Sequence, residues 1–366
     1  MSLGESEGER SVSRPVRDDL PHLDKAGRPT LATVATLAGV HPSTASRALS
    51  SSLKSGVRVG SADTVEKIRR IAKELGFSRN LHAAGLRTQR TSLAGVLVPR
   101  LTDLVLATIY EGIDEEARHH GYQTFVANTN DDEAERASKT DMLLARQVDG
   151  IVLGDARIDH DEIIEQLQAR RVPFVLVSRR SQHHPSVTCD DYAGGRLAAQ
   201  HLLDLGHRSV AVIAGEEYAS TALDRLQGFA DVYREAGHPL APELVVPSRF
   251  DVAGGRRACQ QILNTSGAAP TGVFVVNDFA AIGALGTLRS AGLTAGRDIA
   301  VIGYNDISLA SELPLPLSSI RSPLHDMGTE AMRLLLAGMD GAEMTSKTLK
   351  PSLAARESTL GISTPA

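Results

Sequence analysis

From Leu93 onward, short apolar segments alternate with longer amphipathic ones. The apolar segments are four to six residues long and rich in Val, Ile and Leu, which is typical of strands buried on both faces. They predict strands over Ala94–Val98, Gln123–Ala127, Gly150–Leu153, Phe174–Val177, Ser209–Ala214, Gly272–Val276 and Ile299–Gly303. The stretches between them predict helices that include Glu111–Gly121, Glu133–Gln147, Ala193–Leu205, Ala222–Ala236 and Ala280–Ala291. Strict alternation of this kind predicts two doubly wound lobes, each a parallel sheet covered by helices.

The ends of these predicted strands indicate where a ligand would bind. Ligands of open parallel sheets lie beyond the carboxyl ends of the strands. Pro99, Asn277 and Asn305 lie at or just beyond such ends. We therefore expect them at a ligand site.

A different pattern precedes the first strand. Thr30 is a suitable N-cap, apolar residues follow it at helical spacing, and Gly39 is a suitable C-cap. Pro42 is favoured at the first position of a second short helix, and a third apolar face runs from Ala62 to Phe77. The pattern predicts a helix-turn-helix whose small core is completed by a third helix.

Length and composition fit this two-part organisation. A chain of 366 residues exceeds the size at which one core usually keeps growing, so at least two domains are expected. The composition is 42% hydrophobic and 23% charged, and residues 1–27 are polar, without the apolar stretch of a secretory signal. We expect a soluble, cytoplasmic protein with residues 1–27 as a disordered tail. Cys189 and Cys259 form neither a disulfide framework nor a metal-ligand spacing.

The net charge of −5 conceals a strong asymmetry along the chain. Residues 28–90 carry +8, whereas residues 91–366 carry −11. Because clustered cations rather than a basic whole neutralise phosphates, this distribution indicates a DNA-binding module at one end. Charge alone leaves a merely solvated basic face as the alternative.

Three N-terminal segments resemble the lac-repressor family of bacterial regulators: LATVATLAGVHPSTASRALS, TVEKIRRIAKELGF and NLHAAGLRTQRTSLAGVLVP. Further segments resemble the periplasmic sugar-binding-protein fold that this family shares: VTCDDYAGGRLAAQHLLDLGHRSVAVIAG, TALDRLQGF, VFVVNDFAAIGAL and DIAVIGYNDI. The similarity extends from Thr30 to Thr359. It implies an α/β protein in which an N-terminal helix-turn-helix DNA-binding domain precedes a two-lobed, doubly wound, periplasmic-binding-protein-like effector domain.

The resemblance also implies domain limits and partners. The DNA-binding domain is expected over residues 28–78, a hinge over 79–91 and the effector and dimerisation domain over 92–360. Lobe 1 would comprise about 92–189 and 322–347, and lobe 2 about 190–321 and 348–360. The expected protein is a homodimeric repressor that binds a palindromic double-stranded operator near the nucleoid and responds to a sugar or sugar-derived effector.

For DNA, the resemblance implies that the second helix enters the major groove. Its base contacts would come from Pro42, Ser43 and Arg47, with Thr44 and Ser46 near phosphates. Arg47 is the candidate for reading guanine, since an arginine can donate two hydrogen bonds to that base. In the hinge, Asn80 would contact DNA and Leu86 would wedge between base pairs in the minor groove. Gly85 lies inside this hinge helix and disfavours it, so we predict a hinge that orders only on DNA.

For the effector, the resemblance implies eight residues: Pro99, Ser178, Arg179, Arg225, Phe250, Asn277, Asn305 and Leu324. Arg225 and the two asparagines would hydrogen-bond ligand oxygens, Phe250 would provide an aromatic platform and Leu324 an apolar wall. Ser178-Arg179 stands where many relatives have an acidic residue. Arg179 and Arg225 could together bind a carboxylate or phosphate, so a neutral sugar and a sugar acid both remain open.

Some of these polar residues have structural alternatives. Arg225 could instead form a surface salt bridge. Asp190, Asp278 and Asp306 are expected to cap helices or brace loops rather than contact a ligand.

An enzyme is not expected, nor is a cofactor or a metal. The pairs His119-His120 and His183-His184 have no accompanying carboxylate spacing, and Gly194-Gly195 lacks a dinucleotide-binding pattern. Two other classes remain as rivals. A solute-binding protein for transport would leave residues 30–90 unexplained, and a ligand-independent dimeric DNA-binding protein would bind no sugar or sugar acid.

Overall fold

The computed structural model describes residues 21–24, 27–49, 61–77, 90–158, 161–265 and 269–361. The chain divides into two compact units, Met1–Arg90 and Thr91–Ala366. Each is built as its sequence pattern predicts, the first from helices and the second from alternating strands and helices.

The described part of the first unit contains three helices: α1 (Leu31–Ala38), α2 (Pro42–Ala48) and α3 (Ala62–Glu74). Thr30 caps α1 by accepting a hydrogen bond from the Thr33 backbone, and Gly39 ends that helix in the left-handed conformation, at φ 70°. Both caps are those predicted from the sequence. The α1–α2 turn and α3 therefore form the expected helix-turn-helix unit.

Alanines dominate the core of this unit. Its buried residues are Val34, Ala35, Ala38, Ala45, Ala48, Ile68 and Ala72. Ala35 and Ala45 are 1% and 0% exposed, so the first two helices pack closely through side chains of a single methyl group. A core of such small side chains buries little apolar area, so the loss of one close contact removes a large share of the burial that stabilises this unit.

Part of the predicted disordered tail is folded onto α1. Leu23 forms an antiparallel bridge with Pro29, and the His22 carbonyl accepts hydrogen bonds from the hydroxyls of Thr30 and Thr33. The prediction over residues 1–27 is therefore wrong for residues 21–24. Polar composition alone could not reveal these bonds, because they use the backbone of the tail.

The second unit contains two six-stranded sheets. The first has the order β11-β5-β4-β3-β1-β2 and the second β12-β10-β9-β8-β6-β7, and all their strand pairs are parallel except β10 with β12. The strands are β1 (Leu93–Val98), β2 (Gln123–Asn128), β3 (Gly150–Leu153), β4 (Phe174–Val177), β5 (Ser186–Cys189), β6 (Val210–Ala214), β7 (Val245–Pro247), β8 (Gly272–Val275), β9 (Ala300–Asn305), β10 (Ser318–Arg321), β11 (Lys347–Leu349) and β12 (Ser352–Ala354). The two-lobed, doubly wound prediction is confirmed.

Helices cover these sheets. They are α4 (Leu104–His119), α5 (Glu133–Ala145), α6 (Glu162–Ala169), α7 (Asp191–Asp204), α8 (Ser220–Glu235), α9 (Val252–Asn264), α10 (Asp278–Ser290), α11 (Leu309–Glu312), α12 (Leu324–Met339) and α13 (Glu357–Leu360). Among the described residues, none of the helices has the length and apolar character needed to cross a bilayer.

The sequence pattern misplaces two boundaries. The helix predicted to begin at Glu111 begins at Leu104, because Asp103 caps it and its apolar first turn packs into the core. Strand β11 pairs with β5 of the first sheet, so residues 348 and 349 belong to the first lobe rather than the second.

Three helix pairs of the second unit cross at reciprocal glycines: α4 with α12, α7 with α8, and α9 with α10. In each pair, a Cβ atom on either glycine would collide with a backbone carbonyl oxygen of the facing helix. The glycine pairs are Gly112 with Gly328, Gly195 with Gly228, and Gly255 with Gly283. The absence of side chains there lets the helix backbones touch.

Candidate effector cavity and DNA-contact helix

A cavity of about 410 Å³ lies within the second unit, in the size range of small-molecule sites. Its walls are built mainly from residues that follow strands of both sheets. They are Pro99, Arg100, Asp103, Val105, Leu106, Asn130, Asp131, Asp132, Ser178, Arg179, Glu216, Tyr218, Thr221, Arg225, Arg249, Phe250, Asn277 and Asn305. This is the location expected for a ligand of two facing α/β lobes.

The cavity brings together seven of the eight effector residues expected from the sequence: Pro99, Ser178, Arg179, Arg225, Phe250, Asn277 and Asn305. Leu324 is not among its lining residues. It is the first residue of α12 and lies in the hydrophobic core, 8% exposed.

Arg225, on α8, is held by three hydrogen bonds. It donates to the Asp191 carboxylate at 2.7 Å, to the Val276 carbonyl at 2.7 Å and to the Asn305 side chain at 3.3 Å. Its guanidinium carbon also lies 3.8 Å from the centre of the Tyr304 ring. Because Arg225 and Asp191 are both buried, this is a buried ion pair and not the surface salt bridge considered from the sequence.

Arg179 has a partner of its own. Its two terminal nitrogens donate to the two carboxylate oxygens of Asp131, at 2.7 and 3.0 Å. The other two lining arginines are also paired: Arg100 lies 3.3 Å from Asp251, and Arg249 lies 3.9 Å from Glu216. All four lining arginines therefore have a carboxylate partner within the protein, which weighs against the expectation that Arg179 and Arg225 clamp an anionic ligand.

Two cavity residues that end strands have left-handed backbones. Ser178 follows β4 with φ 68°, and Asn305 ends β9 with φ 103°. Left-handed conformations are uncommon outside glycine, although asparagine is among the residues that tolerate them best. Both are among the effector residues expected from the sequence, and both line the cavity with a backbone conformation that is unfavourable for most residues.

Two lining carboxyl groups that sequence reasoning missed have opposite electrostatic environments. Asp103 caps α4 by accepting a hydrogen bond from the Val105 backbone at 3.0 Å, and burial raises its pKa to about 6. Burial would also raise the pKa of Asp131, but the adjacent Arg179 guanidinium outweighs it and holds that pKa below its ordinary value. Both follow strands, so the strand-end rule applied to Asn277 would have found them.

The remaining selected acids brace the structure, as expected. Asp190 caps α7 through the Ala193 backbone. Asp278 accepts hydrogen bonds from the Ile307 backbone and the Ser319 hydroxyl, and burial raises its pKa to about 7. Asp306 accepts a hydrogen bond from Arg321 at 2.7 Å.

On α2 of the first unit, polar side chains predicted to contact DNA lie side by side. Pro42, Ser43 and Arg47 are exposed, whereas Thr44 and Ser46 are half-buried. Arg47 donates to the Ser43 carbonyl at 3.2 Å, which leaves its terminal guanidinium nitrogens without a described partner. The two predicted hinge contacts, Asn80 and Leu86, lie outside the described residues.

Both units match known protein families. The model described as "Bacterial regulatory proteins, lacI family" matches residues 30–80, and the one described as "Periplasmic binding protein-like domain" matches residues 199–359. The chain is 32% identical over 335 residues to the ribose operon repressor of Haemophilus influenzae, covering 90% of this chain and 98% of that protein. It is 28% identical over 341 residues to the transcriptional regulator DegA of Bacillus subtilis, covering 92% and 99%.

Solved structures of transcriptional regulators also align with most of the chain. The lac repressor dimer bound to operator and the anti-inducer ONPF aligns with a TM-score of 0.78 at 28% identity, covering 91% of this chain and 99% of that one. The complex of the transcriptional regulator CelR with cellobiose aligns with a TM-score of 0.69 at 30% identity, covering 90% and 100%.

Proposed function

Since the chain belongs to the lacI family of bacterial regulatory proteins and is a DNA-binding transcriptional regulator, we propose that a small neutral effector in the cavity controls its operator affinity. The observation that carries this proposal is the composition of the cavity wall. Polar groups converge there from both lobes beside the aromatic ring of Phe250, an arrangement suited to a polyhydroxylated ligand such as a sugar.

The charge of the wall favours a neutral effector over a sugar acid. Four guanidinium groups and four carboxylates line the cavity. The carboxylates are Asp103, Asp131, Asp132 and Glu216, and two of the arginines pair with further carboxylates behind the wall, Arg225 with Asp191 and Arg100 with Asp251. An anionic ligand would therefore meet a wall with no surplus of positive charge and would have to compete for arginines that are already paired.

Within the wall, three side chains have groups available for such a ligand. Among the described residues, neither the Asn305 amide nitrogen nor the Ser178 hydroxyl forms a hydrogen bond, and Phe250 lines the same cavity. We propose that these groups contact the effector, whereas Arg225 positions Asn305 through their hydrogen bond. Asn277 is used structurally: it caps α10 and donates to the Phe250 carbonyl.

For DNA, we propose that α2 enters the major groove and that Arg47 reads a guanine. The exposure of Pro42, Ser43 and Arg47 on one helix supports this assignment, with Thr44 and Ser46 beside the backbone phosphates. We further propose a homodimer on a palindromic operator, domain limits at 28–78, 79–91 and 92–360, and hinge contacts from Asn80 and Leu86. The lac repressor structure aligned above is itself a dimer bound to operator.

Two linked measurements test the proposal on the full chain. A thermal-shift panel of neutral sugars and sugar acids identifies compounds that bind, since a ligand of the folded state raises its stability with ln(1 + [L]/Kd). A salt-controlled shift assay with the chain's own promoter region then measures operator affinity with and without each compound. We expect a neutral sugar to raise Tm and to change operator affinity by about 5- to 150-fold, the usual range of allosteric coupling. A panel without any binding compound would instead favour the ligand-independent DNA-binding protein.

A further inference from the structure

Asp103 occupies a distinctive position in the cavity. It follows β1, caps α4, is half-buried and is one of the residues that line the cavity. One carboxylate oxygen accepts the Val105 backbone hydrogen bond at 3.0 Å. The second oxygen has no hydrogen-bond partner among the residues that the structure describes.

The other lining carboxylates are satisfied in different ways. Asp131 forms the two-bond pair with Arg179, and Glu216 lies 3.9 Å from Arg249. Asp132 is exposed to solvent and caps α5 through the Glu135 backbone. Within the described part of the chain, Asp103 is therefore the lining carboxylate that is half-buried and forms no ion pair.

The arginines whose charges lower the pKa of Asp103 each form an ion pair with a different carboxylate. Arg100, Arg179 and Arg225 all exert a favourable charge on it, yet each is paired with another carboxylate: Asp251, Asp131 and Asp191 respectively. Burial outweighs these three influences together. A ligand group that donates a hydrogen bond to Asp103 would compensate the missing solvation, whereas a ligand anion would add a like charge.

We propose that Asp103 determines effector selectivity: its carboxylate accepts a hydrogen bond from a hydroxyl group of a neutral effector and disfavours effectors bearing a carboxylate or phosphate. This inference rests on the proposed function and narrows it to one residue and one ligand class. Asp103 would thus provide an acidic hydrogen-bond acceptor from the β1–α4 connection. The wall at the end of β4 carries Ser178 and Arg179 instead.

The proposal has a pH dependence of defined sign. A hydroxyl donor binds the ionised carboxylate better than the neutral acid, so effector binding strengthens as pH rises through about 6, the value to which burial raises the pKa of Asp103. The guanidinium groups of Arg100, Arg179 and Arg225 stay charged throughout this range. An anionic effector would show the opposite trend, because ionisation of Asp103 would repel it.

The test uses matched pairs of probes with the full chain: D-ribose with ribose 5-phosphate, D-glucose with glucuronate, and cellobiose with cellobionate. Thermal shift and calorimetry are carried out at pH 5 and pH 7.5 on the wild type, Asp103→Asn and Asp132→Asn. Asparagine caps helices about as well as aspartate, so Asp103→Asn removes the charge and keeps the cap. Asp132→Asn makes the same exchange at another capping residue of the cavity wall.

We expect the neutral member of at least one pair to bind the wild type better than its acid or phosphate, and about tenfold more weakly at pH 5 than at pH 7.5. Asp103→Asn should abolish this pH dependence and reduce the preference for the neutral member, whereas Asp132→Asn should retain both.

Results that contradict this inference can be distinguished from results that contradict the proposed function. A neutral sugar that binds Asp103→Asn as tightly as the wild type, with the same pH profile, would overturn the inference alone. Wild-type preference for the anionic member would overturn both the inference and the neutral effector of the proposed function. If neither member of any pair binds the wild type, the proposed function fails and the inference fails with it.

Discussion

The first unit displays its candidate contacts on one short helix, whereas the second assembles its candidate site from many parts of the chain. Pro42, Ser43 and Arg47 lie within six consecutive residues of α2, on a surface that the helix exposes directly. The cavity residues come from the ends of strands in both sheets, and ion pairs hold their side chains in place. A contact surface on one helix can therefore change with little effect on stability, whereas a cavity built on buried charges cannot.

The largest effect is expected from breaking the buried ion pair of the second unit. Arg225→Met leaves Asp191 buried without its cation, and we expect the free energy of unfolding to fall by about 3–5 kcal/mol. Chemical denaturation of the full chain measures this loss. Arg196→Met is the matched control, because Arg196 and Glu235 form an exposed pair and the expected change is about 0–1 kcal/mol. Equal losses in the two variants would mean that the cavity pair behaves like a surface pair.

The next effect concerns the small core of the first unit. Ala45 is fully buried where α1 and α2 pack, so Ala45→Leu should overpack that contact and cost about 1–3 kcal/mol. Operator affinity should fall in a shift assay while the unfolding transition of the second unit stays unchanged. Glu66→Leu places the same side chain on the exposed face of α3 and should preserve operator binding. Normal operator binding by Ala45→Leu would show that the helices can separate without loss of the DNA-contact surface.

A third variant tests the exposed surface itself. Arg47→Ala should lower specific operator affinity by about 1–3 kcal/mol, since it removes the proposed guanine contact, and leave the unfolding free energy unchanged. Quantitative shift assays at fixed salt, with operators altered at single guanines, identify the base that is read. Arg70→Ala, an exposed change on α3, is the control. The assignment is wrong if Arg47→Ala and the wild type discriminate the same operators equally.

The smallest expected effect is a pH-dependent gain in stability. The folded-state pKa of Asp103, about 6, exceeds the unfolded value near 3.9, so ionised Asp103 destabilises the folded state most above pH 6. Asp103→Asn should therefore raise Tm by about 2 °C or more at pH 7, and this advantage should disappear as pH falls to 4. Differential scanning calorimetry from pH 4 to 7 measures the difference, with Asp132→Asn expected to show no such trend. A gain that is constant with pH would contradict a raised pKa.

Much of the fold could be predicted because its signals are local. Runs of Val, Ile and Leu located seven strands to within two residues at each end, and the caps at Thr30 and Gly39 located α1. The edge strands β11 and β12 gave no such signal, since they have three residues each and remain largely exposed. The start of α4 was missed because its apolar first turn precedes the charged segment from which the helix was predicted.

The cavity could be predicted in location but not in electrostatics. Strand ends identified Pro99, Asn277 and Asn305, because the carboxyl ends of parallel strands gather at one edge of a sheet. The partners of the two arginines could not be found in this way. Arg179 pairs with a residue 48 positions away and Arg225 with one 34 positions away, and no local pattern specifies such pairings. Without the partners, the arginines left an anionic ligand open; with them, no guanidinium in the cavity wall is without a carboxylate partner.

The reciprocal glycines of the second unit have a consequence for genetics. Gly195 lies on α7, outside the cavity lining, yet it contacts the backbone carbonyl of Arg225 on α8. Any larger residue at Gly195 would push α8 away and displace the arginine that holds Asn305. A screen for alleles that no longer respond to effector should therefore recover substitutions at Gly195 and Gly228 alongside cavity residues. Such alleles would map to positions that no ligand contacts.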